Sequence, residues 1–410
     1  MIGRTIEKVI RKSVTQWPVT MITGARQVGK STLCGIIKAD MGYNYVTLDD
    51  PMKRNAALSD PAMFLELHPW PLIIDEIQYA PELFDHIEHI VNKEKFEKGN
   101  NRGMFIITGS HAYSLMENVT QSLAGRVNIV NMSPLSMSEI RSVKEEPFNI
   151  DIQKIAKRTS EYKMGPLELY DVILRGMYPE LHDDLEKDTE EFYRNYMNTY
   201  LERDVSMLIN IQDKTKFSNF LSILASLTGQ ELVYETLAKA VGVTSNTIRS
   251  WVNVLATGHI IRLVQPFYDT SMIKRIVKHP KIYFTDTGLA CYLMGLYDAE
   301  MMSKGVYKGR LVETYIVNEI MKSYDNNAVG CKFFYYRDNN GNEIDLMMLR
   351  NAELQLIECK SGISFSKNDV KAFSQMKGSS YETKGACIIC NTDTIYPVSE
   401  GVLAIPITSI

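Results

Sequence analysis

The clearest pattern with chemical meaning is the run Gly24-Ala-Arg-Gln-Val-Gly-Lys-Ser31, which satisfies the phosphate-binding motif G-x-x-x-x-G-K-[ST]. It lies between a predicted strand at 19–23 and a segment at 32–38 that can begin a helix. Two glycines let backbone N–H groups curve around phosphates, and the helix N-terminus adds the positive end of its dipole. The motif predicts ATP binding, with Lys30 reaching the β- and γ-phosphates and the Ser31 hydroxyl binding Mg²⁺. The predicted nucleotide-binding residues are Gly24, Ala25, Arg26, Gln27, Val28, Gly29, Lys30, Ser31, Thr32 and Asp75.

Two adjacent carboxylates end a second apolar run, Leu72-Ile-Ile-Asp-Glu, with one further predicted strand between this run and the phosphate-binding loop. At that position, Asp75 is predicted to hold Mg²⁺ through water, and Glu76 to polarise the water that attacks the γ-phosphate. Lys30 and Glu76 are therefore predicted to be catalytic in ATP hydrolysis.

Two side chains near other strand ends are candidates for contact with the γ-phosphate. Thr108 ends a predicted strand, and it either senses that phosphate or belongs to a simple strand-end turn. Arg126 directly precedes another predicted strand and is a candidate arginine finger, acting in its own subunit or across an interface with a second copy. Arginines are also common at exposed surfaces, so spacing alone does not decide between these roles.

Several motifs together resemble the prokaryotic AAA-type ATPases often called archaeal-type ATPases. The motifs in the first third of the chain are Thr23-Gly-Ala-Arg-Gln-Val-Gly-Lys-Ser-Thr, Asp75-Glu-Ile-Gln, Thr108-Gly-Ser, Ser122-Leu-Ala-Gly-Arg-Val and Pro134-Leu-Ser. Motifs similar to those of the uncharacterised C-terminal region that accompanies this ATPase are Arg175-Gly-Met-Tyr-Pro, Tyr200-Leu-Glu-Arg-Asp-Val and Asp286-Thr-Gly-Leu. The resemblance implies an AAA-type fold, ATP binding and a link to DNA. One departure is the pair Gly176-Met177, because the family has Gly-Gly before Tyr-Pro.

The chain is long enough for several domains, and its periodicity predicts an α/β protein. Short apolar runs alternate with amphipathic stretches at the start, as in a parallel sheet covered by helices. The strands predicted there are Val19–Thr23, Tyr45–Asp49, Leu72–Asp75, Met104–Thr108 and Val127–Met132. The predicted fold is a parallel-sheet AAA-type P-loop domain, then a winged-helix domain and a mixed α/β domain like that of restriction endonucleases. The predicted ranges are 1–138 for the ATPase, 139–215 for a helical linker or lid, 216–280 for the winged helix-turn-helix and 281–410 for the restriction-endonuclease-like domain.

A helix-turn-helix is predicted from helices at 232–240 and 245–256, which are joined by a tight turn at 241–243. A strand at 260–264 would form its wing. Between residues 231 and 281 there are seven Lys or Arg against three Asp or Glu, and this local excess favours contact with phosphates. Such domains also serve as protein docking modules, so both alternatives stay open. The candidate DNA-binding residues on the second helix are Ser245, Asn246 and Arg249.

The C-terminal part carries one acid on a predicted helix and two on paired strands. This order resembles the phosphodiesterase core of restriction endonucleases and Holliday-junction resolvases. Alternation puts Glu358 and Lys360 on one strand face, and a hairpin with the Asp345 strand brings the carboxylates together. Asp345 and Glu358 would bind one or two Mg²⁺, and Glu313 would complete the metal shell. Lys360 would position the attacking water or offset charge. Two alternatives are a hairpin with acids on its solvent face and an inactive domain kept for DNA binding or assembly.

The charge, the apolar runs and the cysteine content limit the kinds of partner and the location that are expected for this protein. The net charge of −4 excludes a polycation, so DNA contact would need a local patch. No apolar run approaches the roughly 20 residues that span a bilayer, which predicts no membrane partner. Six cysteines in 410 residues do not make a disulfide scaffold, and this favours the cytoplasm. The predicted cofactors are ATP and Mg²⁺, the predicted partners are ATP and DNA, and a homo-oligomer is left open.

Overall fold

The computed structural model of this chain describes residues 2–109, 122–199, 213–269 and 279–410. Ser110 of the motif at Thr108, and the motif that begins at Tyr200, lie outside these residues. Within the described part of the chain, no helix is both long enough and apolar enough to cross a membrane.

The first sheet has five strands, all parallel, and confirms the α/β fold predicted for this part of the chain. Its strands are β1 (Val19–Thr23), β2 (Asn44–Thr47), β3 (Leu72–Asp75), β4 (Phe105–Gly109) and β5 (Val127–Asn131). Their order across the sheet is β2-β3-β4-β1-β5, so β1 is flanked by β4 and β5. The predicted strands all exist: β1 and β3 have the predicted ends, and the ends of the other three are displaced by one or two residues.

Helices cover both faces of this sheet. Those of the first 140 residues are α1 (Glu7–Val14), α2 (Lys30–Met41), α3 (Pro51–Ser59), α4 (Pro61–Leu67), α5 (Leu83–Lys98) and α6 (Met137–Ile140). On β1, Val19 and Met21 pack into a cluster with α4 and α5, whereas Ile22 packs into a second cluster with α1 and α2. Burial on both faces explains why β1 is apolar without alternation. The second cluster continues beyond the sheet to residues near the C-terminus, so among the described residues the apolar packing is continuous from the first sheet to the second half of the chain.

The remaining helices surround a second sheet. They are α7 (Ile152–Glu161), α8 (Pro166–Arg175), α9 (Pro179–Asp183), α10 (Thr189–Tyr196), α11 (Lys214–Ser226), α12 (Tyr234–Val241), α13 (Ser245–Thr257), α14 (Thr287–Met294), α15 (Ala299–Lys304) and α16 (Lys308–Asp325). Helices α12 and α13 form the predicted pair around a turn, and the Thr244 hydroxyl caps α13 by accepting from the Thr247 N–H at 3.1 Å. Most of α16 is buried, including both of its glutamates.

The second sheet has nine strands in the order β13-β14-β12-β11-β10-β9-β7-β8-β6. Its strands are β6 (Gln230–Glu231), β7 (Ile261–Pro266), β8 (Lys281–Phe284), β9 (Lys332–Arg337), β10 (Glu343–Arg350), β11 (Glu353–Cys359), β12 (Glu382–Cys390), β13 (Tyr396–Ser399) and β14 (Val402–Pro406). The predicted wing strand is therefore β7, which pairs antiparallel with β8 and parallel with β9. The predicted boundary at residue 280 falls between two paired strands of one sheet, and the domain ranges stay a prediction.

Two of the motifs in the second half of the chain contact each other. Asp286 is 1% exposed, and its carboxylate accepts hydrogen bonds from the Met177 N–H at 2.6 Å, the Tyr193 hydroxyl at 2.7 Å and the Leu289 N–H at 2.8 Å. Gly176 adopts a positive φ of 73°, and a Cβ there would lie 2.0 Å from the Tyr193 hydroxyl. The turn thus needs its glycine at 176 only, which explains how Met177, buried beside it, replaces the second glycine of the family motif.

We expect Gly176→Ala to destabilise the protein by about 2–4 kcal/mol, because it combines left-handed backbone strain with overlap against Tyr193 and Asp286. Gly295→Ala is the matched control, since Gly295 has nearly the same φ, 72°, and nothing within 4 Å of a Cβ. The free energy of unfolding of that control should fall by about 1 kcal/mol, because only the left-handed backbone strain is added. Urea unfolding midpoints measured by far-UV circular dichroism would show the difference. Equal midpoints for the two variants would contradict the close packing at Gly176.

Candidate functional site

The phosphate-binding loop leaves the C-terminal end of β1 and enters α2 at Lys30. Gly24 and Gly29 have φ values of 150° and 96°, and a Cβ on Gly24 would lie 2.2 Å from the carbonyl oxygen of Met132. A side chain at Gly24 is therefore excluded by backbone of the neighbouring strand end. Ser31 and Thr32 are exposed in the first turn of α2, where the unpaired N–H groups and helix dipole favour an anion.

Lys30 is 5% exposed and folds over its own loop. Its ammonium donates to the carbonyl oxygens of Gly24 at 3.0 Å and Ala25 at 2.8 Å. Burial lowers the pKa of Lys30 to about 8, although the nearby carboxylates of Glu76 and Asp75 oppose this shift. A bound polyphosphate would supply the negative charge that the buried ammonium lacks.

The two predicted carboxylates stand at the end of β3. Thr108, on the adjacent strand β4, donates its hydroxyl to one oxygen of Asp75, and Tyr45 donates to the other at 2.8 Å. The Glu76 N–H donates to the same Thr108 oxygen at 3.1 Å, and Glu76 has a left-handed φ of 57°. Thr108 therefore positions Asp75 and Glu76, a role that the sequence alternatives for Thr108 did not include.

A cavity of about 590 Å³ opens over the loop. Arg26, Gln27, Gly29, Lys30, Ser31, Thr32 and Glu76 line one side of it. The opposite side, which we call the pocket wall, consists of Pro179, Glu180, Asp183, Asp184, Lys187, Tyr196 and Thr199. Three of these wall residues are acids that face a predicted phosphate site. Sequence analysis missed the wall, because contacts between distant segments bring it to the loop, among them the packing of Gly176 against Asp286 and the hydrogen bond from the Leu135 N–H to the Met177 carbonyl at 2.8 Å.

Arg126 is not brought to this cavity. Its guanidinium binds helix α5 of its own chain, at 2.7 Å from the side-chain oxygen of Asn92 and 3.2 Å from Glu88. Both predicted roles of Arg126, an arginine finger in its own subunit or across an interface, stay predictions.

The predicted DNA-binding residues lie at the start of α13. Asn246 and Arg249 are exposed, and Ser245 is half-buried. The Arg249 guanidinium lies over the Tyr234 ring at 4.2 Å from its centre and 3.5 Å from a carboxylate oxygen of Glu235. These contacts hold the arginine on the outer face of the helix pair.

The carboxylates of the C-terminal part come together at the ends of β10 and β11. The antiparallel register pairs Leu346 with Ile357. Asp345 and Glu358, the next residue on each strand, are therefore neighbours across the two strands. One Glu358 oxygen accepts from the Lys360 ammonium at 2.5 Å, and the other is buried with no hydrogen-bond partner among the described residues. Burial, and secondly the charge of Asp345, raise the pKa of Glu358 to about 9.

Glu313 belongs to the same cluster, but a lysine that the sequence did not suggest lies between it and Asp345. The Lys281 ammonium, from β8, lies 2.9 Å from Glu313 and 3.3 Å from Asp345. Burial, and secondly the charge of Asp345, raise the pKa of Glu313 to about 7. Burial acts to lower the pKa of Lys281, but the surrounding Glu313, Asp345 and Glu343 outweigh it and raise that pKa well above its usual value.

No group of three or more His, Cys, Asp or Glu side chains in the described ranges is arranged to hold a metal ion. The predicted set of three carboxylates is therefore not a ready metal shell, because Lys281 already occupies the space that Glu313 shares with Asp345. Glu313 as a metal ligand stays a prediction. Asp345 and Glu358 remain a pair of carboxylates with one oxygen unpaired, and an oxygen pair suits Mg²⁺, which often takes one or two protein carboxylates.

Residues 16–141 match the family described as "AAA domain". This range contains the phosphate-binding loop, Asp75, Glu76 and the five-stranded sheet. It is a P-loop ATPase domain of AAA type. Residues 167–300 and 308–410 match two families described as domains of unknown function, DUF8612 and DUF4143.

Two proteins similar to this chain over most of its length carry no functional name. They are the uncharacterized proteins Rv2008c of Mycobacterium tuberculosis and Mb2031c of Mycobacterium bovis, each 24% identical over 97% of this chain and 82% of the relative. Among solved structures, the Walker-type ATPase PABY2304 of Pyrococcus abyssi is 14% identical with a TM-score of 0.35, covering 70% of this chain and 94% of that one. AMPPCP-bound DnaA of Aquifex aeolicus is 14% identical with a TM-score of 0.28, covering 60% and 86%.

Proposed function

We propose that this protein hydrolyses ATP at the P-loop, and that the nucleotide moves the pocket wall and thereby gates contact with DNA. The observation that carries the proposal is that Lys30, Ser31 and Glu76 line one cavity with the acidic wall. Lys30 would bind the β- and γ-phosphates, and Glu76 would polarise the attacking water. Ser31 and Asp75 offer the oxygen atoms that Mg²⁺ prefers and would hold it, and this ion supplies positive charge to the phosphates.

The pocket wall supplies the reason for movement. A nucleotide in the cavity brings phosphate charges towards Asp183 and Asp184, and like charges at short range repel, whereas Glu180 is paired with Lys187 of the same wall. The wall is fixed through Gly176 and Met177 to Asp286, which caps helix α14. Displacement of the wall is thereby linked to the second half of the chain.

We expect Glu76→Gln to keep ATP binding and to lower hydrolysis by at least a hundredfold, because the amide cannot act as a base. Lys30→Ala should instead abolish binding. Binding of a fluorescent ATP analogue and release of phosphate would separate the two effects. Glu97→Gln, at an exposed acid on α5, is the control. Undiminished turnover in Glu76→Gln would remove Glu76 from this role.

The proposed DNA contact uses the exposed face of α13. Arg249 is 52% exposed, and Asn246 lies one turn before it on the same face, at the start of the helix where a recognition helix contacts DNA. Among the described basic residues of this segment, Lys239 is exposed like Arg249 and supports phosphate contact, whereas Lys281 is buried among carboxylates and Arg262 is paired with Asp325. A domain that docks a protein partner instead would keep the same helices and show no DNA affinity.

We expect Arg249→Ala to weaken duplex DNA binding and to reduce the slope of log affinity against log salt concentration by about 1, because one phosphate contact is lost. Fluorescence anisotropy over a series of salt concentrations measures both quantities. Lys93→Ala, at an exposed lysine on α5, should change neither. A wild-type protein without salt-sensitive affinity would favour the protein-docking alternative.

A second candidate function, metal-dependent phosphodiester cleavage, is favoured by the unpaired Glu358 oxygen. A buried carboxylate oxygen without a partner is unfavourable, and a cation would satisfy it. Asp345 and Glu358 would hold Mg²⁺, which would supply Lewis-acid chemistry at a phosphodiester. Lys360, in contact with Glu358, would position the water. The alternative is an inactive domain that serves as a binding or assembly platform.

We expect the wild-type chain to cleave single-stranded, duplex or branched DNA with Mg²⁺ or Mn²⁺, and Asp345→Asn to lose this activity because the amide binds a cation poorly. The assay should be run with and without ATP, so that regulation by the nucleotide is seen. Asp393→Asn, at an exposed acid, is the control. Absence of cleavage on every substrate would favour the platform alternative.

A further inference from the structure

Lys281 is the most completely buried cation in the C-terminal carboxylate cluster. Its side chain is 2% exposed, and its ammonium lies 2.6 Å from Glu343, 2.9 Å from Glu313 and 3.3 Å from Asp345. An ammonium has three hydrogens to donate, and here three carboxylates surround it. The position resembles that of a metal ion bridging acidic ligands.

Two of these carboxylates have other partners as well. Glu313 also accepts a hydrogen bond from the Tyr283 hydroxyl at 2.7 Å, and Glu343 lies 3.7 Å from the Arg337 guanidinium. Both are therefore satisfied by protein groups. A cation that displaced Lys281 from them would leave a buried ammonium without a partner, which is strongly unfavourable.

The other two carboxylates of the cluster, those of Asp345 and Glu358, can still accept further contacts. Asp345 accepts from the Cys359 N–H at 2.9 Å and from Lys281, and each of its oxygens keeps a second lone pair. Glu358 has one oxygen bonded to Lys360 and one that is buried and unpaired among the described residues. The carboxylate oxygen that can still bind a cation is thus found at Glu358, whose strand position is beside Asp345.

Charge balance gives the number of cations. When all are ionised, four carboxylates, those of Glu313, Glu343, Asp345 and Glu358, face two ammonium groups, those of Lys281 and Lys360. The nearby Arg337 guanidinium is balanced by a further carboxylate, Glu231, at 3.0 Å. The two negative charges that remain match one divalent cation. A second divalent cation would leave an excess of two positive charges in a mostly buried site, which costs several kcal/mol per unpaired ion.

We propose that the Lys281 ammonium takes the place of a second metal ion and restricts this cluster to a single divalent cation held by Asp345 and Glu358. The proposal rests on the proposed metal site. Lys281 acts as a positioning residue: it holds Glu313 and Glu343 away from the metal and orients Asp345 towards Glu358.

The test is a Mn²⁺ titration of the full-length, nucleotide-free chain, followed by electron paramagnetic resonance. We expect one bound Mn²⁺ with an uncoupled spectrum, lost in Glu358→Gln and kept in Asp75→Asn, which alters only the P-loop site. Folded Lys281→Met should bind two Mn²⁺ with a coupled spectrum, because three carboxylates lose their internal cation. Circular dichroism would establish that this variant is folded.

A coupled pair of Mn²⁺ in the wild type would overturn the proposal, and this result needs no variant. So would the absence of Mn²⁺ at the cluster, or a folded Lys281→Met that still binds one. DNA cleavage is a separate measurement. One Mn²⁺ without cleavage leaves the single-cation site standing and removes the nuclease function, whereas cleavage with two Mn²⁺ does the reverse.

Discussion

A buried carboxylate, Asp286, which forms no ion pair with any described residue, fixes the geometry on which the nucleotide cavity depends. Its two oxygens accept three hydrogen bonds, two from backbone N–H groups and one from Tyr193, and this replaces the water that burial removes. The donors come from three separate parts of the chain, the turn after α8, helix α10 and the start of α14. Asp286 therefore sets where the chain turns at Gly176, and the turn sets where the pocket wall faces Lys30.

Other polar contacts tie the ATPase part to the second half of the chain. Lys322, on the buried helix α16, donates to the Leu135 carbonyl at 2.8 Å, and Glu319 accepts from the Met137 N–H at 2.8 Å. Arg262, on β7, lies 2.7 Å from Asp325 and donates to Ser133 at 3.0 Å. The apolar packing between the two parts is continuous. A movement driven by the nucleotide therefore has to be a shear motion, in which packed helices and strands slide past one another, and not a hinge motion.

Local patterns were predictable from sequence, whereas contacts between distant segments were not. Three features could be predicted because a short run of residues determines each of them: the P-loop, the carboxylates at the end of β3 and the helix pair at 234–257. Thr108 was recognised as a strand-end side chain, but its bonds to Asp75 and Glu76 depend on which strand lies next to β3. Lys281 gave no signal, since it stands 64 positions from Asp345 and reaches it only through the strand order of the second sheet. The ends of β2, β4 and β5 differ by one or two residues from the predicted ends. The reason is that hydrogen bonding to the neighbouring strand, and not apolar character, decides where a strand ends.

The end of the proposed DNA-contacting helix also lies against the nucleotide site. His259 follows α13 directly, and its ring nitrogen is 3.4 Å from the Thr23 hydroxyl, one residue before the P-loop begins. Burial, with Arg262 and Lys30 nearby, lowers the pKa of His259 to about 4, so the ring is neutral and can stay beside the buried Lys30. Arg249 lies on the same helix, three turns before this contact. The proposed coupling between nucleotide and DNA therefore needs no long chain of intermediates, because a shift of the strand end at Thr23 acts on the rigid helix that carries Arg249.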